Sequence, residues 1–109
     1  MASILKILAQ SSPAATTLTS LYTCTVDHGV SISSLVICNT NATDETFRVS
    51  VIQNGEADTK KQYLYFDLPI AANDTFIATV GLSLSKNDSI SVRASKTNIA
   101  FQLFGVEIN

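Results

Sequence analysis

Thr46-Phe47-Arg48-Val49-Ser50-Val51-Ile52 alternates apolar and polar side chains with a period of two. On an extended chain this places Phe47, Val49 and Val51 on one side and Arg48 and Ser50 on the other, whereas a helix would scatter them around its circumference. The stretch reads as a half-buried antiparallel strand, apolar toward a core and polar toward water. The same texture continues in both directions. Upstream, Thr17 to Thr25 and Val30 to Asn39 carry Leu18, Leu21, Ile32, Leu35 and Ile37. Downstream, Asn98 to Ile108 sets Ile99, Phe101 and Leu103 against Ala100, Gln102 and Phe104, with Gly105 read as a bulge. Asn73-Asp74-Thr75 and Asn87-Asp88-Ser89 each launch a further alternating run, an echo that reads as a hairpin. Gln62 to Leu68 contains Tyr63, Tyr65 and Phe66, and Pro69 ends that run or confines it to a sheet edge. Simple alternation aims Tyr63 and Tyr65 to one side and Phe66 to the other.

No segment sustains a helical period, and about eight short runs fill the chain. The expected class is all-β: an antiparallel β-sandwich, jelly-roll-like, with an immunoglobulin-like sandwich as the alternative. The absence of tryptophan removes the buried Trp of antibody domains. At 109 residues the chain makes one domain. Its expected body is 13–109, preceded by an N-terminal strand or arm over 1–12 whose apolar residues occupy both faces. Asp27-His28-Gly29 reads as a hairpin turn. Counting from it places Cys24 and Cys38 out of register, so both are expected as free thiols.

Charged residues are only 15% of the chain and the net charge is −2, while Ser and Thr approach a quarter of all positions. A surface of hydroxyls and amides is easier to desolvate than an ionic one, which suits packing against other proteins. No basic stripe is present to neutralise phosphates, so direct nucleic-acid binding is not expected. No apolar run reaches the length of a membrane span, and Ile4 to Ala9 is too short, and broken by Lys6, for a signal-peptide core. The expectation is a protein made in the cytoplasm without export. His28 beside Asp27 falls in a turn, where polar side chains serve the backbone. Cys24, His28 and Cys38 supply at most three metal ligands without a paired knuckle, and the Asn-Asp pairs are explained by Asx turns rather than calcium. No enzyme, cofactor or metal is therefore expected.

Lys6-Ile7-Leu8-Ala9-Gln10-Ser11-Ser12-Pro13, Thr46-Phe47-Arg48-Val49-Ser50-Val51, Lys61-Gln62-Tyr63-Leu64-Tyr65-Phe66-Asp67-Leu68-Pro69-Ile70 and the closing Phe101-Gln102-Leu103-Phe104-Gly105 follow one another along the chain. In order, texture and length the chain resembles small virion structural proteins of tailed bacteriophages, notably of cyanophages. It departs from them at Cys24-Thr25-Val26-Asp27-His28-Gly29, where a Val-Pro-Ala-Gly type of turn is expected. The resemblance implies a head decoration, or cement, protein on the virion surface, a homotrimer that clamps the major capsid protein. Under it, Ile4, Leu5, Ile7 and Leu8 form a docking arm, and Tyr63, Tyr65, Asn54, Lys60 and Lys61 touch neighbours. A tail- or fibre-associated adaptor is the first alternative, and a carbohydrate-binding sandwich using Tyr63 or Tyr65 is the second.

Overall fold

The computed structural model describes residues 2–79 and 81–109. Nine strands form among them: β1 Ser3–Ser11, β2 Thr19–Thr23, β3 Val30–Asn39, β4 Glu45–Ile52, β5 Tyr63–Ile70, β6 Thr75–Ala78, β7 Leu82–Leu84, β8 Ser89–Ala94 and β9 Ile99–Ile108. A single 3-10 turn, Lys60–Gln62, interrupts the polar loop before β5. Every pairing is antiparallel. One sheet runs β1-β9-β3-β6, with β7 also on β3, and the other runs β2-β8-β4-β5. Because β6 pairs Leu35 to Cys38 and β7 pairs Val30 to Ile32, these two act as one interrupted edge strand.

This is the jelly-roll order: the first and last strands are neighbours, and β1, β2, β3 and β4 alternate between sheets. In an immunoglobulin-like sandwich the first two strands would share a sheet. Two short-range expectations change accordingly. Asp27-His28-Gly29 carries the chain from β2 to β3, hence from one sheet to the other, and makes no hairpin. The turn is tied to the C-terminus instead, His28 N–H donating to Ile108 O at 3.1 Å and Ile108 N–H to Gly29 O at 3.0 Å. Likewise β6 and β8 lie in opposite sheets, so the two Asn-Asp turns are not arms of one hairpin. Their sequences echo because both turns need the same backbone. Asn73 and Asn87 adopt left-handed φ values of 58° and 77°, a region Asn tolerates. Asp74 accepts from Thr75 N–H at 2.8 Å, and the Asp88 carboxylate accepts from Asn54 N–H and Ser85 N–H, both at 2.9 Å.

The core lies between the sheets. Phe47, Val49, Ile90 and Val92 from one sheet meet Leu35, Ile37, Ile99, Phe101 and Leu103 from the other. Phe47 is its hub, with the rings of Phe76, Tyr65 and Phe101 at 5.5, 6.0 and 6.4 Å in tilted or edge-on packing. At one end the fully buried Asn39 ties two loops together. Its amide donates to Thr43 O and Ala71 O, and its oxygen accepts from Asn41 N–H. Gly105 is a close approach rather than a bulge of its own strand. The extra residues are Ser33 on β3 and Leu8 on β1, which flank it.

Candidate functional site

The two sheets present outer faces of different chemistry. On the β1-β9-β3-β6 sheet, the inward positions of β9 are Ile99, Phe101 and Leu103, which leaves Gln102, Phe104 and Val106 pointing outward. Register then aligns Leu5 with Val106, Ile7 with Phe104, and Val36 with both Gln102 and Ile77 on that outer side. Leu5, Ile77 and Ile7 are 82%, 61% and 55% exposed. An antiparallel sheet with one solvated face normally turns polar residues outward. This face instead has an apolar band running from β1 across β9 to β6. Among the described residues it carries no Asp, Glu, Lys or Arg, and apart from Ala100 and the Cys38 thiol its remaining positions are hydroxyls and amides, such as Gln10 donating to Gln102 at 3.0 Å.

Ile4 and Lys6 turn the other way, toward the open edge between the sheets. There Lys6 Nζ meets Glu107 Oε1 at 3.0 Å, and Tyr22, from the opposite sheet, donates its hydroxyl to Glu107 Oε2 at 2.6 Å. The tyrosine hydrogen bond and the lysine hold the Glu107 carboxyl below the usual carboxylate range. Burial, and then the carboxylate, push the Tyr22 phenol well above its ordinary value. The pair braces one sheet against the other. Leu8 is the extra residue of β1 and packs inward against the core, in the space that Gly105 leaves open.

The β2-β8-β4-β5 sheet turns a charged and aromatic face outward. Arg48 grips Asp67 with two hydrogen bonds, Nε to Oδ1 at 2.6 Å and Nη2 to Oδ2 at 3.1 Å. Its guanidinium lies 4.1 Å over the Phe66 ring, and Tyr63 meets Phe66 edge-on at 5.0 Å. The Tyr63 hydroxyl donates to Asp58 at 2.9 Å. Hydrogen bonds from Arg48 hold the Asp67 carboxyl below its ordinary value, with Arg93 adding attraction. That carboxylate offsets the repulsion between Arg48 and Arg93, which face each other directly across β4 and β8. Lys60, Tyr63 and Phe66 line a shallow depression of about 370 Å³, next to a cleft of about 480 Å³ whose walls include Gln53, Lys61, Leu64 and Leu84.

The residues singled out from sequence thus divide between opposite faces. Leu5 and Ile7 lie on the neutral face, Ile4 at the rim and Leu8 in the interior. Tyr63 and Lys60 come together around Phe66, while Lys61 pairs loosely with Glu56 at 3.7 Å. Asn54 is exposed in a turn, with φ of 49°. Tyr65 points inward onto Phe47 and Phe76, opposite in sense to Tyr63, because β5 carries bulges on both sides of it. Sequence reasoning missed Arg48, Phe66 and Asp67 as a cluster, and Val36, Ile77 and Phe104 as parts of the apolar band. A usable signal existed for Ile77, which sits between Phe76 and Ala78 and makes β6 apolar on both sides, as β1 is. Cys24 is buried and Cys38 lies on the outer side of β3, both as free thiols. His28 is exposed. Among the described residues no three His, Cys, Asp or Glu side chains gather as a metal-binding group. No family model, curated protein or solved structure matches the chain.

Proposed function

We propose that this jelly-roll sandwich is a virion structural protein, a head-decoration subunit that binds as an oligomer to the shell of a tailed phage. The observation that carries the reading is the exposed apolar band of Leu5, Ile7 and Ile77 on one outer sheet face, since contiguous exposed apolar surface marks a place where another macromolecule packs. The sequence resemblance to small cyanophage virion proteins supplies the particle. A clamp of this kind needs no reactive group. Modest contacts, repeated by valency, raise effective concentration so that the second contact is far stronger than the first. The opposite face, with its Arg48–Asp67 pair and the Tyr63–Phe66 rings, supplies a second contact of different chemistry.

The test is co-sedimentation of the purified protein with undecorated cyanophage heads, followed by imaging. Many copies spread over the head are expected. A few copies at one vertex or on the tail indicate the adaptor, and no bound copies reject both. One observation favours the carbohydrate reading: Phe66 is 51% exposed beside a guanidinium and a carboxylate, the combination that stacks on and hydrogen-bonds to a sugar. Glycan-array binding that disappears in Phe66→Ala would establish it.

A further inference from the structure

We infer that the neutral outer face of the β1-β9-β3-β6 sheet is the self-contact of this protein, and that the contact pairs two copies face to face across a two-fold axis. The inference deepens the function proposed above by naming which surface makes the oligomer and which is left for the shell.

Three observations choose a second copy as the occupant. The first is charge. A two-fold axis sets each side chain of a face against the same face of the partner, so a carboxylate or ammonium there faces its own kind unless a counter-charge is placed symmetrically. This face has no charged side chain among the described residues, whereas the opposite face has Arg48, Asp67 and Arg93. The second is hydrogen-bonding sense. Its polar residues are hydroxyls and amides, such as Ser31 and Gln102, which both donate and accept and can therefore pair with their own symmetry mates. The third is area. Three strands of nine or ten residues and the interrupted β6-β7 edge, about 4.8 Å apart, give a projected footprint of about 600 Å², before the standing side chains add to it. A standard interface takes about 800 Å² of accessible surface per partner, which a footprint of about 600 Å² approaches once the relief of its side chains is counted, so the face matches one pair.

Face-to-face packing also fixes the copy number. A single sheet face can be covered by one partner, at the spacing of about 10 Å found between stacked sheets. A trimer built on this face would leave part of each copy's band uncovered, so the expected species is a dimer rather than the homotrimer implied by the sequence resemblance.

The experiment is sedimentation velocity through the micromolar range, without heads present. The wild type is expected to run at twice the chain mass. The Leu5→Lys/Ile77→Lys variant is expected to run as a monomer, its dissociation constant raised about 100-fold or more, as follows from burying a charge at each end of an apolar contact. Phe66→Lys, on the other face, should still dimerise. If the double substitution unfolds the chain, Ser31→Lys and Ser83→Lys carry the same test, because both side chains are exposed on this face. A wild type of single or threefold mass, or a charged variant that dimerises as tightly as the wild type, overturns the inference. Mass and head occupancy fail separately. A dimer that never binds heads refutes decoration alone, and a monomer that decorates heads refutes the two-fold contact alone.

Discussion

Replacing Gly105 with Ala tests how closely β9 is pressed between its neighbours. Gly105 is opposite Ile32 on β3 and Lys6 on β1, in the middle of the sheet. A Cβ there would run into the Ser31 carbonyl oxygen, and it would lie 3.0 Å from Ile32 Cα and 3.1 Å from Leu8 Cδ1. Leu8 can give, because the atom is the far end of a side chain. The Ser31 and Ile32 atoms are backbone, held by β9 on one side and β7 on the other, so relief requires β9 to move away from β3. Overpacking of this kind costs about 1–3 kcal/mol, and lengthening one or two ladder hydrogen bonds adds about 1 kcal/mol each. A total near 3–4 kcal/mol is a large share of the roughly 5–15 kcal/mol that holds a domain folded. It should lower Tm by roughly 15 °C or more. Thermal and urea unfolding followed by circular dichroism measure it, with Gly81→Ala as the control. Gly81 has no atom within 4 Å of an added Cβ and no left-handed φ. Its substitution should be neutral or stabilise by about 0.4–1 kcal/mol through the unfolded chain. A Gly105→Ala protein with native spectra and a Tm like that of the control would refute the close approach.

Phe47→Ala removes the ring on which Tyr65, Phe76 and Phe101 converge and should cost about 3–5 kcal/mol by urea unfolding; a loss below about 1 kcal/mol would show that the hub collapses freely. On the acid side, Asp27, Glu45, Asp67 and Glu107 have carboxyls lowered in the fold, so the unfolded chain binds protons first. Their contribution is complete above the ordinary carboxyl range, above about pH 5, and is lost as pH falls through it toward the depressed folded values. On the alkaline side the Tyr22 phenol is raised, so its contribution is complete below about pH 10 and is lost as pH rises further. Tyr22→Phe should flatten the alkaline fall and weaken part of the acid one, through Glu107, in a series of unfolding curves against pH; an unchanged alkaline limb would refute the brace. Cys38 should react with a thiol reagent in the native protein while Cys24 reacts only on unfolding, and equal native rates would contradict their burial.

The central strands were legible because each has a neighbour on both sides and one face against the core. In β4 and β9, strict alternation named Phe47, Val49, Ile99, Phe101 and Leu103, all at most 1% exposed. What alternation does not encode is which sheet a strand joins. The turn at 27–29 is as short and polar as a hairpin turn, yet its backbone groups bond to the C-terminal strand, a partner about eighty residues away along the chain. Nothing local distinguishes the two uses.

Sidedness along a strand is a parity, and each bulge reverses it. Between Tyr63 and Leu68 the edge strand β5 is bulged twice, which separates Tyr63 from Tyr65 and gathers Tyr63 with Phe66 over Arg48. The extra residues of other edge strands are Leu8 in β1 and Leu21 in β2, with Ser33 in β3 as the interior case. An edge strand has one neighbour to hold its register, so an inserted residue disturbs a single ladder, whereas in a central strand it must be accommodated on both sides. Bulges therefore collect where pairing is weakest. The outer aromatic cluster was illegible because its register is set by long-range pairing to β4, and only the fold reveals which side chains that pairing turns outward.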